Sequence, residues 1–322
     1  MRHSTLHAGL LAVILGCSAI PPALAASDKP PLKLVVGATP GGTTDRVARG
    51  IAHEMSSILG QTVIVENRPG AGGNIAADVV ARAPKDGNTL LVSFTSFTVN
   101  ATLYKKLPFD PEKDFTPITM LAEVPSVLVA RKDFPASDVS TLIDMAKKEP
   151  GKYSFAIGGM GSSLHMATAS FEMGANIKGL TVPYKGTSPA MQDLVGGQVD
   201  LMFASAVNVM PLAGGDRIKI LGVTSPEPMK QFPSAPPIGD TVKGFSSKAW
   251  FGMFGPAGMP KARLEQLHKA AVEGAKHENF VKLVEPEGGT VVTNTPEEFA
   301  RFVSEDIKRY ADVVKFTGVT AD

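Results

Sequence analysis

Short apolar runs alternate with segments of helical periodicity along most of the chain. Leu32-Lys33-Leu34-Val35-Val36 reads as a buried strand. After Pro40-Gly41-Gly42, the apolar positions Val47, Ile51, Met55, Ile58 and Leu59 recur at i, i+4, i+8, i+11 and i+12, the spacing of one helix face. Thr43 or Thr44 is placed to cap that helix, Asp45 suits its first turn, and Gly60 ends it. Residues 62–66 read as a second strand, Pro69-Gly70-Ala71-Gly72-Gly73 as a glycine-rich turn, residues 74–82 as a short helix, and residues 89–93 as a third strand. Strand, helix, strand, helix, strand implies right-handed crossovers and a mostly parallel sheet.

A second series follows. Residues 124–130 read as one strand, and Ser137 or Asp138 opens a helix running to Lys148. Strands at 153–157, 180–182, 199–203 and 218–223 alternate with helices at 163–174 and 188–195. Residues 225–244 carry Pro226, Pro228, Pro233, Pro236 and Pro237 and read as a loop or linker. The apolar strand Ala249-Trp250-Phe251-Gly252-Met253-Phe254 and helices at 261–276 and 296–315 complete the chain, with no internal repeat.

The N-terminus follows another logic. Arg2 stands in an acid-free start, residues 10–16 are apolar, Pro21-Pro22 interrupt them, and Ala23-Leu24-Ala25 precedes the polar Ser27-Asp28-Lys29. That is the pattern of a secretory signal peptide over residues 1–25. The apolar run falls far short of the ~20 residues that span a bilayer. A second reading takes Ile14-Leu15-Gly16-Cys17 as an imperfect lipobox, with a lipid on Cys17. Either address places the mature chain outside the cytoplasm, in the periplasm, and a cut after Ala25 takes with it the one cysteine of the sequence.

Length and composition narrow the rest. At 322 residues the chain is about twice the ~150-residue prior for one domain. Hydrophobic residues at 43% exclude an intrinsically disordered chain. Thirty-two basic residues against 31 acidic ones, with no basic block, argue against a nucleic-acid partner. No Cys/His cluster has zinc spacing, and neither a metal nor a cofactor is expected.

Candidate chemistry concentrates in four strand-to-helix turns, residues 38–45, 94–98, 158–163 and 204–208. In an open α/β sheet, ligands bind beyond the carboxyl ends of the strands. Glycines admit a ligand to the backbone, and N–H groups at a helix start attract an anion. Gly41-Gly42 and Gly158-Gly159-Met160-Gly161 have that makeup in the first and second α/β series respectively. A phosphate loop is excluded because Thr43, not Lys, follows Gly41-Gly42. A serine hydrolase would draw on Ser162 or Ser163 with His165, but G-x-S-x-G is missing and His165 follows too closely along the same helix. His53, His268 and His277 lack metal-spaced partners, and Glu287 with its neighbouring acids reads as charged surface.

Eight stretches in order resemble the Bug family of extracytoplasmic solute receptors, the binding components of tripartite tricarboxylate transporters. They are Pro40-Gly41-Gly42-Thr43-Thr44-Asp45, residues 65–74 from Val65-Glu66-Asn67-Arg68, Pro84-Lys85-Asp86-Gly87, Leu103-Tyr104-Lys105-Lys106-Leu107-Pro108, Gly161-Ser162-Ser163-Leu164-His165, Val182-Pro183-Tyr184-Lys185-Gly186, residues 194–203 around Gly196-Gly197-Gln198, and Trp250-Phe251-Gly252 with Pro256-Ala257-Gly258-Met259-Pro260. The resemblance implies an α/β, two-domain, periplasmic-binding-protein-like fold of type II, with one ligand cleft between domains and two hinge crossings near Arg131 and Lys248. The implied domains are residues 26–131 plus 248–322, and 132–247.

It also implies that a ligand carboxylate is gripped from both sides, with no covalent chemistry. Carried onto this chain, one jaw is Thr39, Pro40, Gly41, Gly42 and Thr43, with Asp45 steadying the helix start and Thr95, Ser96 and Thr98 flanking it. The other is Gly161, Ser162, Ser163 and His165, with Tyr184 nearby and Ser205 on the fourth turn. Relatives that carry Asp-Asn where this chain has Ala204-Ser205 have an acid able to hold an ammonium group, so its loss tilts the expected ligand towards carboxylates without a nearby cation. Neither glycine turn contains Lys or Arg. Four or five hydrogen bonds to the anion, at roughly 1.5–3 kcal/mol each, reach about the 8 kcal/mol of a micromolar complex before closure costs. The implied partners are a small mono- or dicarboxylate and the transporter's membrane subunits, with the receptor a monomer. A ligand-binding sensory protein feeding a signalling partner is the alternative.

Overall fold

The computed structural model describes residues 29–321, so the expected signal segment and Cys17 lie outside the described residues. Among those residues the strands are β1 (Leu32–Val36), β2 (Val63–Asn67), β3 (Thr89–Phe94), β4 (Phe115–Pro125), β5 (Val127–Arg131), β6 (Ser154–Ile157), β7 (Leu180–Pro183), β8 (Leu201–Ala204), β9 (Ile218–Val223), β10 (Lys248–Pro256) and β11 (Thr290–Val291). The helices are α1 (Thr43–Leu59), α2 (Asn74–Ala81), α3 (Ser96–Leu103), α4 (Val139–Lys148), α5 (Ser163–Ala175), α6 (Thr187–Val195), α7 (Ala206–Ala213), α8 (Ile238–Thr241), α9 (Lys261–Ala275), α10 (Glu278–Val284) and α11 (Pro296–Thr317).

Two sheets form, in the orders β11-β4-β10-β3-β1-β2 and β7-β6-β8-β5-β9. Each is covered on both faces. On the first, α1, α9 and α10 enclose Leu34, Val36, Ile51, Met55 and Met253, while α2 and α11 enclose Val35, Val80, Phe254 and Phe299 on the reverse. On the second, α4 and α5 enclose Leu128, Phe155, Phe171 and Phe203, and α6 and α7 enclose Val129, Met191 and Met202. The apolar faces of these helices supply the periodicity read from sequence, and burying them is what drives each layer together.

The sheets are mixed rather than mostly parallel. Strands joined by helical crossovers are parallel, as β1 is with β2 and β3, and β6 with β7 and β8. The strands that carry the chain between domains are antiparallel to their neighbours: β10 to β3 and β4, and β5 to β8 and β9. The apolar run at 124–130 is also two strands. Val124 pairs with Ala249 in the first sheet, and Val127 pairs with Ala204 and Val223 in the second. The first crossing therefore falls at Ser126, whose N–H donates to Thr224 Oγ1 at 2.8 Å, and not at Arg131. Hydrophobicity does not break between the two strands, which is why the pattern concealed the crossing. The return lies between Phe245, still packed in the second domain, and Lys248, which opens β10, and the proline-rich stretch before it packs on the second domain.

A third body of contacts joins the domains. The helix α11 opens with a capping box, Thr295 with Glu298, and packs on α3 and β4 of the first domain and on α5 of the second. Met166 and Ala169 of α5 meet Val99, Leu103, Tyr310 and Val313 there. Among the described residues no helix is long and apolar enough to cross a membrane.

Candidate functional site

Between the two sheets lies a cleft of about 720 Å³. Five helices start on it: Thr43 and Thr44 of α1, Ser96 of α3, Ser162 and Ser163 at α5, Thr187 and Ser188 of α6, and Ser205 with Asn208 at α7 all line its walls. The first N–H groups of a helix lack intrahelical acceptors, and each such end carries a partial positive charge. Phe94, Val124, Leu164, Val207, Ala249 and Phe251 add an apolar lining. The cleft thus offers many neutral donors beside surface suited to a carbon skeleton.

The two glycine turns are held by the same device. Gly41, at φ +85°, donates its N–H to Asp45 Oδ2 at 2.9 Å. Gly161, at φ +72°, donates to His165 Nδ1 at 3.0 Å. In each case a side chain four residues on, buried inside the helix's first turn, accepts from the glycine. Asp45 also accepts from Arg49 Nε at 3.0 Å and from Asn67 Nδ2 at 2.8 Å. Burial raises the Asp45 carboxyl, but these bonds outweigh it and hold it at about 2, against an ordinary 3.8. The Glu66-Asn67-Arg68 stretch thereby gains a role, since Asn67 also donates to the Ala38 carbonyl at 3.0 Å. His165 has no such cation near it, and burial lowers it from 6.5 to about 4, so the ring is neutral and Nδ1 is free to accept.

Of the residues expected at the site, Thr39, Gly41, Gly42, Thr43, Thr95, Ser96, Ser162, Ser163 and Ser205 line the cleft. Six do not. Pro40 is exposed beside it, and Asp45, His165 and Gly161 are buried behind the turns they shape. Gly161 is wedged against α3, where a Cβ would come within 2.5 Å of Leu103 Cδ2, and its carbonyl accepts from Ser96 Oγ at 3.0 Å across the domains. Thr98 faces the interior and donates to Asp306 Oδ2 at 2.6 Å. Asp306 also accepts from Trp250 Nε1 at 2.9 Å, and Thr95 Oγ1 accepts from the Trp250 N–H at 3.1 Å, so α11 and β10 fix the β3–α3 turn from behind. Tyr184 donates its hydroxyl to Asp193 at 2.7 Å, which pushes it up to about 12. The His165 ring meets the Gly161 N–H and neither serine hydroxyl. Ser162 Oγ donates to the Gly159 carbonyl at 2.8 Å and accepts from the His165 N–H at 3.2 Å, which makes it the helix cap.

Sequence reasoning missed the start of α6 and one charged pair. Thr187 and Ser188 follow Gly186, whose φ of +117° marked a turn. Arg46 and Glu287 are the charged side chains lining the cleft among the described residues, and they form an ion pair. Glu287 is not charged surface: it is 2% exposed. Gly288, at φ +72°, packs so closely under Met229 that a Cβ would fall 2.1 Å from its Cε. Lys230 and Gln231 bind Glu285 beside it. The proline-rich stretch thereby packs against the turn at 285–288, in which Glu285 and Pro286 stay exposed and Glu287 is buried.

Comparison with known proteins places this geometry. The family model described as tripartite tricarboxylate transporter family receptor matches residues 47–319. The solved structure of periplasmic binding protein BugD is 35% identical, with a TM-score of 0.76 over 91% of this chain and 99% of that one. R. palustris Rpa4515 with adipate is 31% identical, TM-score 0.77, covering 90% and 97%. MatC from Rhodopseudomonas palustris with bound malate is 34% identical, TM-score 0.74, covering 88% and 98%.

Proposed function

The chain belongs to the tripartite tricarboxylate transporter receptor family, and from that premise we propose that it captures a small carboxylate in its interdomain cleft and delivers it to the membrane subunits of a transporter. It is a solute-binding receptor of the Bug type, and in this reading it works in the periplasm as a monomer. The observation that carries the proposal is the convergence of five helix starts on one cleft. A carboxylate there is met by N–H and O–H donors that converge on the cleft from both walls. That Rpa4515 is solved with adipate and MatC with malate supports the ligand class.

Binding proceeds by enclosure. The turns at Gly41–Thr43 and Thr95–Ser96 supply donors from one domain, and those at Ser162–Ser163, Thr187–Ser188 and Ser205 supply them from the other. A ligand touching both sides stabilises the arrangement in which they face each other, and the transporter reads that arrangement. Thermal shift across a carboxylate library tests the proposal. A binder at 100 times its dissociation constant adds about 2.7 kcal/mol, a rise of several degrees for a protein of this size. If no carboxylate raises the melting temperature, the reading is wrong. Uptake by reconstituted membrane subunits, with and without the receptor, tests the partner.

A further inference from the structure

Glu287 poses a problem that receptor architecture alone does not solve. It is the carboxylate of the cleft wall among the described residues, and its side chain is 3% exposed. Oε1 accepts from Thr43 Oγ1 at 3.2 Å and from Arg46. Oε2 is enclosed and has no hydrogen-bond partner. An ionised carboxylate offers about four acceptor positions, so roughly half of its capacity is unused. Leaving a buried acceptor under-satisfied is costly, and more so for a charged one.

An ion pair kept only for stability does not account for this. The Arg46 side chain is 43% exposed, and a pair with one partner so hydrated returns little, while the buried acid bears its full desolvation cost. The position of the pair is the better clue. Thr43 both opens α1 at the cleft and donates to Glu287, so an anion resting on the α1 start lies one hydroxyl away from the acid. The terminal torsion of a glutamate is broad and two-fold, and either oxygen can turn its unfilled positions to an incoming donor.

We infer that Glu287 is a specificity-determining acceptor, selecting carboxylates that carry a hydrogen-bond donor, a hydroxyl or an ammonium group, close to the carboxylate, with Arg46 positioning it. This rests on the carboxylate-binding reading above and narrows it. It also reverses the expectation drawn from Ala204-Ser205: the acid missing from the α7 turn is supplied by residue 287, from the segment packed against α7.

Calorimetric titration of the mature protein with two matched series tests it: succinate, malate and aspartate, and propanoate, lactate and alanine. In at least one series the donor-bearing acids should bind about tenfold or more tightly than the unsubstituted acid, the value of one hydrogen bond to a charged group. Preference for the hydroxy acid identifies a hydroxyl ligand, preference for the amino acid an ammonium one. Glu287→Gln keeps the shape and one acceptor but removes the charge, and should cut the amino-acid preference more than the hydroxy-acid preference. Glu287→Met should level the series. Should neither variant fold, Arg46→Met leaves the acid without its cation and should raise the ratio of amino to hydroxy acid. Unsubstituted acids that bind as well as the others, or a ratio unmoved by these substitutions, overturn the role of Glu287 alone. Failure of all six acids to bind the parent overturns the role of Glu287, and failure of the whole carboxylate library as well overturns the carboxylate reading with it.

Discussion

The two walls of the cleft solve the same problem with different chemistry. The wall built from β1–α1 and its neighbours is charged. Asp45 locks the Gly41 turn with the help of Arg49 and Asn67, and Arg46 and Glu287 stand at its face. The wall built from the starts of α5, α6 and α7 presents hydroxyl and amide side chains, and a neutral imidazole does for Gly161 what a carboxylate does for Gly41. A helix start needs its first turn fixed, and any acceptor four residues on will serve, charged or not. On the proposed reading the charged wall discriminates among ligands by their donors, whereas the neutral wall takes whatever anion fits.

That contrast can be broken by substitution, beginning with the strongest element. Asp45→Ala strands Gly41 N–H, Arg49 and Asn67 together. It should cost roughly 3 kcal/mol, a fall of many degrees in melting temperature, and weaken every carboxylate ligand. A melting temperature within one degree of the parent would mean that the hub is dispensable. His165→Ala removes one acceptor and leaves a cavity in a tighter setting, at about 2 kcal/mol. Thermal melts of the two variants rank the devices directly.

The glycines should differ as well. Gly161→Val meets Leu103 at once and must hold a β-branched residue at φ +72°. Gly41→Val has open space around its Cβ and bears only the backbone strain, about 1–2 kcal/mol. Denaturant midpoints should therefore fall further for Gly161→Val, and equal losses would show that the Leu103 contact yields freely.

Acid separates the two walls as well. His165 sits near 4 when folded against 6.5 when free, so the unfolded chain binds more protons in that interval. Its contribution is complete above 6.5 and is lost as pH falls towards 4. Asp45, held at about 2 against 3.8, keeps its contribution down to 3.8 and loses it below. On acidification the neutral wall should loosen first. Melting temperature against pH should slope between 6.5 and 4 in the parent and flatten there in His165→Gln. An unchanged slope would assign the dependence to other groups.

Much of this molecule is local in origin. The spacing of Val47, Ile51 and Met55 makes α1, Gly60 in the left-handed region at φ 54° ends it, and the turns at 38–45, 94–98, 158–163 and 204–208 all reach the cleft because strand-to-helix turns share one edge of each sheet. The family resemblance rests on the same turns. Chain direction at the crossing was hidden, because Val124 and Val127 are equally apolar and only their hydrogen-bond partners differ. Asp45, Thr98 and His165 belong to the right turns but point inward, since side-chain direction within a first helical turn depends on what packs behind it.

Residues 285–288 mark the boundary most sharply. Glu285-Pro286-Glu287-Gly288 reads as solvated surface in any local window, and one of its acids is buried where Thr43 and Arg46 of α1, distant in sequence, meet it. Periodicity, glycine placement and turn chemistry act over a few residues, so the sequence alone determined most of the elements, though not β4 as a strand of its own, α8, α10 or β11, together with the two-domain class and the turns that gather at the cleft. Which side chains face that cleft, and which acid stands in its wall, was decided by packing between distant segments, where burial and the pairing of charges depend on neighbours that no local pattern contains.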